Sequence, residues 1–428
     1  MPDKANTSFY VLFVSGIMIE LMLLGFYFIP AGKSNIAYYI IIYFVISVIM
    51  FSLYWFIVKR KTSSNKNELY VIILFAILFR ITLIPSELST SGDVYRYLWE
   101  GKVVAHGFNP YENAPDDARL SHLRSGTLVN KLQYKNTTAI YPPVAQYMFA
   151  LSYILFGENV AGIEIIYLFT SIVSMYLIIL LLRHKKIDER SVIIYAWLPL
   201  PIMEYFINAH LDIVGVLFFL LFIYLFLQEK YYLSSAAFAL SILTKIYPVM
   251  FIPLIFRKLG WKRSLYFSLI TVVIIILFYL PFIPKERELS ESLFRYISHW
   301  SFNGSVFKIF YLITEHNQKA RIISYILFGI TLIYIFYRNE EFFKSVYLFW
   351  IAYIIFTPTL YPWYLGWIAA INPVFSFASV NSLLLTIDVS NFTPLSDKWT
   401  EYWWTAVIQY VPFYSLLIYD LLKHRKKE

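Results

Sequence analysis

The stretch VAGIEIIYLFTSIVSMYLIILLL, residues 160–182, contains one charged side chain, Glu164, and is followed at once by Arg183, Lys185 and Lys186. About 20 consecutive apolar residues in a helix are enough to cross the hydrocarbon core of a bilayer. Short runs of lysine and arginine beside such a segment are typical of its cytoplasmic end. The stretch therefore predicts a membrane-spanning helix.

The composition of the whole chain favours the same environment. Of its 428 residues, 59% are hydrophobic, 20% are aromatic and only 15% are charged, and the mean hydropathy is +0.61. Soluble domains average about 25% charged residues, so this chain has too few to cover a water-facing surface. The net charge of +9 comes from lysines and arginines in short gaps between apolar runs, which argues against nucleic acid as a partner. There is no cysteine, which excludes disulfides and thiolate metal sites.

The apolar pattern repeats along the chain. Predicted spans are 9–29, 36–58, 68–84, 160–182, 190–206, 212–228, 263–283, 320–337, 345–360 and 403–422. Two further apolar stretches, 231–256 and 364–388, are interrupted at Lys245–Pro248 and at Asn372–Pro373, and each could be a hairpin or a kinked span. The sequence thus predicts an all-α polytopic membrane protein with about ten to thirteen transmembrane helices in one membrane domain, 1–428, whose first span is not cleaved.

Short segments rich in lysine and arginine separate several of these spans and indicate which ends face the cytoplasm. Clusters occur at Lys59, Arg60, Lys61 and Lys66; at Arg183, Lys185, Lys186 and Arg190; at Arg257, Lys258, Lys262 and Arg263; and at Lys423, Arg425, Lys426 and Lys427. All four face the cytoplasm if 142–157 is an interfacial or re-entrant helix and 231–256 returns to its own side. Residues 85–157 then form a long, structured outer loop with interfacial helices.

Candidate site residues cluster at the predicted outer ends of the spans. In GDVYRYLWEG, residues 92–101, Asp93, Arg96 and Glu100 share one face if the segment is helical, and Lys102 follows. A carboxylate beside a cation can stay ionised, and the cation can bind a phosphate. The alternative is a surface ion pair with Asp93 as a helix cap.

Other polar residues lie at later outer ends. His210 and Asp212 could handle a proton or bind substrate, or Asp212 could cap the next span; a metal site is disfavoured because no further histidine or cysteine is nearby. Lys245 could pair with an anion or extend to an interface. Tyr141, in YPP, marks a rigid corner. His299 and Asn303 lie four residues apart in an aromatic setting suited to sugars. Trp363, in the PWY motif, is the last candidate substrate-binding residue along the chain.

These motifs resemble those of a known family. GDVYRYLWEG, GFNPY (107–111) and YPP (141–143) are similar to the first outer loop of the glycosyltransferase C superfamily, in particular of bacterial polyprenyl-phosphomannose-dependent mannosyltransferases. HLD (210–212), KIYP (245–248), HWSFN (299–303) and PWY (362–364) occur at comparable places. The resemblance spans most of residues 68–370. The family often shows two adjacent acids where this chain has Gly92 and Asp93, which leaves Glu100 and Asp212 as candidates for the second acidic role.

The resemblance implies an inverting transferase with a lipid-phosphate sugar donor and with Asp93 as general base. Expected partners are a polyprenyl-phosphate sugar, most simply mannose, a glycan or lipid acceptor, and membrane lipids. We expect no cofactor, no metal and no nucleic acid. The donor phosphate would meet Arg96, Lys102 or Lys245, in falling order of preference. The site would lie on the non-cytoplasmic face of the cell membrane.

A transporter or flippase of a lipid-linked saccharide is the alternative. Such proteins often contain structural repeats and paired broken helices, with functional charges near the middle of the membrane. This chain has two broken segments but no visible repeat, and its polar motifs concentrate on one side. That asymmetry favours the transferase.

Overall fold

A computed structural model of the chain describes residues 4–30, 32–59, 66–124, 126–284, 291–396 and 398–425. Within these ranges the regular secondary structure is helical, apart from isolated bridges that join Phe302 and Asn303 to Thr359. Four of the predicted basic anchors, Arg60, Lys61, Lys426 and Lys427, lie outside the described residues.

Within the described residues of the N-terminal half there are nine α-helices and several short turns. The α-helices are α1 (Lys4–Leu24), α2 (Lys33–Tyr54), α3 (Lys66–Leu83), α4 (Asp93–Ala105), α5 (Leu128–Lys131), α6 (Pro143–Phe156), α7 (Val160–His184), α8 (Ile193–Ala196) and α9 (Pro199–Phe206). Single turns of 3-10 or π type lie at Gly25–Phe28, Trp55–Lys59, Ala118–Leu123 and Glu189–Val192.

The remaining helices follow the loop at Asn208. They are α10 (Asp212–Leu227), α11 (Tyr231–Ile242), α12 (Ile252–Tyr279), α13 (Glu291–His299), α14 (Ser305–Thr314), α15 (Asn317–Tyr337), α16 (Phe342–Phe356), α17 (Gly366–Phe375), α18 (Ala378–Thr386), α19 (Phe392–Leu395) and α20 (Trp403–Arg425). Short 3-10 turns lie at Tyr247–Phe251, Leu280–Phe282, Pro362–Leu365 and Ile387–Asn391.

Six helical segments of the described chain are long and apolar enough to cross a membrane. They are Thr7–Phe28, Lys33–Lys59, Val160–His184, Tyr247–Phe282, Asn317–Tyr337 and Trp403–Lys423. Five shorter apolar helices of 10–17 residues accompany them: Pro143–Phe156, Asp212–Leu227, Tyr231–Ile242, Ser305–Thr314 and Phe342–Phe356. The prediction of an all-α polytopic membrane protein is confirmed, while the number of ten to thirteen crossings stays a prediction.

The predicted span 190–206 is wrong as a single helix. The chain there forms a 3-10 turn, then α8, a break at Trp197 and Leu198, and the short helix α9. Pro199 causes the break, because a proline disfavours helical geometry at the residue before it and lacks an N–H to donate. Side chains from 192 to 207 are buried. An apolar segment that packs inside the protein has the same sequence signature as one that faces lipid.

Both interrupted stretches are broken, as predicted. In 231–256, α11 ends at Ile242 and a turn carrying Lys245 leads to the 3-10 turn at Tyr247. In 364–388, α17 tolerates Pro373 and ends at Phe375; the next residue, Ser376, has a left-handed φ of 50°, so the break falls a few residues later than expected. A further kink lies within α12 at Gly260, with a φ of 70°.

The chain divides into two compact units. The first comprises 1–90, 171–208 and 360–428, and the second comprises 91–170 and 209–359. The second unit contains every predicted site residue except Trp363, which belongs to the first. That these units form one membrane domain stays a prediction.

One predicted anchor of the first unit has a buried role. Arg190 is 3% exposed, and its guanidinium lies 2.6 Å from Glu68 and 2.6 Å from Asp188. It therefore stabilises the interior of this unit and is not a solvated member of a basic surface cluster.

Candidate active site

Asp93 is the first residue of α4, directly after Gly92. The Ser91 hydroxyl accepts a hydrogen bond from the Asp93 backbone N–H at 3.3 Å, and no side chain caps the helix. The cap alternative is therefore not what the carboxylate does in this structure. The side chain is half-buried, so it is within reach of a small solute while protein atoms surround much of it.

Close packing fixes α4 against α6. The ring of Tyr97 stacks on Phe149 with centroids 4.6 Å apart and planes at 5°. One turn later, a Cβ on Gly101 would overlap the Phe149 carbonyl, so only glycine permits this approach. The helix that begins with Asp93 is thus held at a fixed distance from its neighbour.

A buried ion pair lies in the same unit. Lys245 Nζ donates to both carboxylate oxygens of Asp212 at 2.8 Å. Asp212 opens α10, and Lys245 lies in the turn after α11. The side chains of Asp212 and Lys245 are 1% and 10% exposed. Of the two sequence-based alternatives for Lys245, pairing with an anion is the one observed.

This pair acts electrostatically on Asp93. Burial raises the pKa of Asp93 to about 6; the positive charge of Lys245 lowers it, and the negative charge of Asp212 raises it. Burial also lowers the pKa of Lys245, while Asp212 opposes that change. Asp93, Asp212 and Lys245 therefore form one coupled group, in which Asp93 titrates near neutral pH.

Tyrosines surround the group. The Tyr97 and Tyr141 hydroxyls lie 3.3 Å apart, and their rings meet edge to face at 5.3 Å. Burial first, and then the charge of Asp93, raise the pKa of Tyr141. Tyr141, predicted from the YPP corner, is thus near Asp93.

His210 is fully buried in the loop before α10. Burial, followed by the charge of Lys245, lowers its pKa well below the ordinary value, so the ring is neutral at physiological pH. Among the described residues there is no cluster of three or more His, Cys, Asp or Glu side chains that could hold a metal ion.

Arg96 and Glu100 interact as their spacing predicts, with the Arg96 guanidinium 2.8 Å from the Glu100 carboxylate. The other Glu100 oxygen accepts from the Gln146 amide at 2.7 Å. Arg96 also donates to the backbone carbonyls of Tyr134 and Thr137. Its donors therefore already hold the outer loop, which makes Arg96 a weaker candidate for phosphate than we expected.

Lys102 has a partner of its own. Its ammonium lies 2.6 Å from Glu158 and 6.0 Å from the centre of the Trp99 ring. The side chain is buried. The phosphate role of Lys102 stays a prediction, and the observed contacts are those of a structural ion pair.

The HWSFN segment is ordered by backbone contacts. His299 is exposed, with Nδ1 3.1 Å from the Arg295 carbonyl oxygen. Asn303 is 7% exposed and has a left-handed φ of 50°.

Trp363, in the first unit, stacks on Tyr361 with ring centroids 4.4 Å apart. Substrate binding by His299, Asn303 and Trp363 stays a prediction.

The comparison with protein families decides the class of this protein. The family described as alpha-(1->6)-mannopyranosyltransferase, N-terminal domain (MptA_B family), matches residues 16–259, more than half of the chain. The chain belongs to this family. It is a membrane mannosyltransferase, and the matched region includes Asp93, Asp212 and Lys245. A search of curated proteins finds no match.

Several contacts of this mannosyltransferase have no sequence signal. Gln146, Glu158 and Tyr134 bond to predicted site residues that are 46, 56 and 38 positions away. Such distant pairs are invisible to a search for local motifs. From the sequence one could at most have expected that Lys102, if buried, would pair with an acidic side chain.

Proposed function

We propose that this mannosyltransferase moves mannose from a polyprenyl-phosphate donor to an acceptor hydroxyl with inversion, and that Asp93 is the general base. In this single displacement, the acceptor oxygen forms a bond to the anomeric carbon while the bond from that carbon to the phosphate oxygen breaks. The acceptor proton passes to the Asp93 carboxylate. Polyprenyl phosphate leaves as the anion, so neither a general acid nor a covalent nucleophile is needed.

The coupling of Asp93 to the Lys245–Asp212 pair is the observation that carries this proposal. A general base works best when its pKa is near the operating pH. A pKa of about 6 leaves the carboxylate ionised at pH 7 and more basic than an ordinary aspartate. Strongly shifted pKa values in partly accessible clefts are frequent at catalytic sites.

Lys245 is the favoured cation for the departing phosphate. Like Arg96 and Lys102, it is paired with a carboxylate, but among the described groups it is the cation whose charge acts on the pKa of Asp93. A fixed positive charge near a leaving phosphate stabilises the charge that develops in the transition state.

The membrane-spanning fold suits a lipid donor. A polyprenyl tail is soluble in hydrocarbon, so an enzyme with apolar helices can take the donor from the bilayer. The alternative function, a flippase or transporter, receives no support from the matched family, whose description is a sugar-transfer activity.

The direct test is Asp93→Asn. We expect turnover of polyprenyl-phosphate mannose to fall by about 10²–10⁴, with donor binding retained, because the amide keeps the shape but cannot accept the proton. Asp116→Asn, an exposed acid of the same loop, is the matched control and should leave turnover unchanged. Normal transfer by Asp93→Asn would exclude Asp93 as the base.

Sidedness has a separate test. Because the chain has no cysteine, single exposed positions can be labelled uniquely with a membrane-impermeant maleimide. We propose that Asp93 faces the non-cytoplasmic side, so Asp116→Cys should react in intact cells and Lys258→Cys only after permeabilisation. The reverse labelling pattern would overturn the proposed orientation. It would not bear on whether the protein is a mannosyltransferase.

A further inference from the structure

We propose that the rings of Tyr134, Trp300 and Tyr296 form an aromatic ledge that binds the pyranose ring of the acceptor glycan. This inference rests on the proposed function, since it assumes that the acceptor approaches Asp93. It extends the aromatic setting predicted around His299 and Asn303 to a specific binding site for the second substrate, which the family match does not assign.

Trp300 contacts both of the other rings. Tyr134 meets Trp300 edge to face, with centroids 5.8 Å apart and planes at 85°. Trp300 stacks on Tyr296 at 5.9 Å and 25°. Tyr134 is 60% exposed and Trp300 is 37% exposed. A joined surface of three rings is thus partly open to solution.

The first side of the ledge is held in an unusual backbone geometry. Tyr134 has a φ of 50°, which is uncommon for a residue with a bulky side chain. Its carbonyl accepts from Arg96 at 3.2 Å and from the Thr137 N–H at 3.0 Å. Arg96 is in turn fixed by Glu100. Residues held in sparsely populated conformations concentrate at binding sites.

Hydrogen bonds also hold the backbone of Trp300, at the second side of the ledge. The Trp300 carbonyl accepts from Arg321 and from the Thr359 hydroxyl at 2.9 Å. Arg321 also donates to the Ile297 carbonyl at 2.7 Å, which ties it to the last turn of α13. Two arginines from separate helices therefore fix the backbone at the two exposed rings.

The ledge lies near the proposed base. Burial raises the pKa of Tyr134, and the negative charge of Asp93 raises it further. Tyr141 is influenced both by Asp93 and by Tyr296. The Tyr134 carbonyl also accepts from Arg96, three residues after Asp93 in α4, so this end of the ledge lies beside the first turn of the helix that begins with Asp93.

The chemistry of the ledge fits a sugar better than a lipid headgroup. A pyranose has an apolar face of C–H groups that packs on aromatic rings, and binding sites of this kind combine rings with a few polar groups. Rings stacked under an acceptor leave its hydroxyls at the edge, where one can reach a carboxylate. An anionic headgroup would instead require free cations, and Arg96 and Arg321 are bonded to backbone.

The test is a kinetic comparison of Trp300→Ala and Tyr134→Ala with the unaltered enzyme, using polyprenyl-phosphate mannose and an oligomannoside acceptor. We expect the acceptor KM to rise by about 3- to 10-fold, with the donor KM and the turnover at saturating acceptor unchanged. Tyr134→Phe keeps the ring and should behave as the unaltered enzyme. Trp261→Ala, at a tryptophan that is 74% exposed, is the matched control.

The outcomes separate this inference from the function on which it rests. If the unaltered enzyme transfers mannose but Trp300→Ala and Tyr134→Ala keep the acceptor KM, the ledge is not the acceptor site. A loss of thermal stability with an unchanged acceptor KM would make the rings an interfacial anchor and would also overturn the inference. If the unaltered enzyme does not use the lipid-linked donor, the proposed function fails first.

Discussion

The ammonium of Lys245 bonds both oxygens of Asp212 at 2.8 Å, although 33 positions separate them. Both side chains are almost fully buried, so the attraction between them is little screened by water. Their opposite charges act on Asp93 in opposite directions. The pair therefore tunes the proposed base as well as joining α10 to the turn after α11.

Changing one charge of this pair should shift the pH profile of transfer. Lys245→Met removes the charge that lowers the pKa of Asp93, so the acid limb of kcat/KM should move to higher pH. Asp212→Asn removes the charge that raises that pKa and releases Lys245 toward Asp93, so the limb should move to lower pH. The measurement is kcat/KM between about pH 4 and pH 8, roughly two units on either side of the Asp93 pKa of about 6.

The double variant, Lys245→Met with Asp212→Asn, is the control for this pair. It removes both opposing charges and should return the acid limb close to that of the unaltered enzyme. Shifts of the two single variants in the same direction would contradict the coupling.

The unaltered enzyme should lose activity as Asp93 becomes protonated. With a pKa of about 6, kcat/KM should rise with pH through that value and then level off. A profile that is flat through this region would show that no group of this pKa controls the reaction.

The same shift has a consequence for stability. A carboxyl group whose pKa is raised by folding contributes most to stability below the pKa of the unfolded chain, and that contribution is lost as pH rises through about 6. Asp93→Asn should therefore melt at the same temperature as the unaltered protein, or higher, at pH 7.5, with a smaller advantage at pH 5. A lower melting temperature at pH 7.5 would mean that Asp93 stabilises the fold in its charged form.

Gly101 tests how closely α4 must approach α6. Gly101→Ala would place a methyl group against the Phe149 carbonyl, which should cost about 1–3 kcal/mol in unfolding free energy and reduce turnover by displacing Asp93. Gly329→Ala, in α15, has no atom within 4 Å of the added carbon and should be neutral or slightly stabilising. Equal behaviour of the two variants in thermal unfolding would argue against this packing.

Buried and exposed ion pairs in the first unit should differ in strength. Arg190→Met leaves Glu68, which is 0% exposed, without its guanidinium partner, and should destabilise the protein by about 3–5 kcal/mol. Arg183→Ala breaks a 2.7 Å pair with Glu189 in which the arginine is 53% exposed, and should change stability by less than about 1 kcal/mol. Thermal unfolding in detergent at pH 7 measures both.

Sequence reasoning singled out Asp93, Asp212 and Lys245 because each interrupts or borders an apolar run, and their roles stay predictions. It placed Arg96 and Lys102 before Lys245 as phosphate ligands without foreseeing that their donors are bonded to Glu100, to loop carbonyls and to Glu158. Which partner a long side chain reaches depends on the packing of helices that are far apart in sequence. No local spacing contains that information.

The amino-acid sequence by itself determined that this is a helical membrane protein, because long apolar runs have no other solvent in which to satisfy their backbone groups. It also indicated the break near Lys245–Pro248, since proline lacks the donor that a helix requires, but the same rule misplaced the break near Pro373, which lies inside α17. The tertiary structure alone decided that 190–206 packs inside the protein as two short helices and that Lys245 meets Asp212. Burial in protein and burial in lipid select the same apolar residues, and an ion pair forms only when the fold brings its two charges within bonding distance.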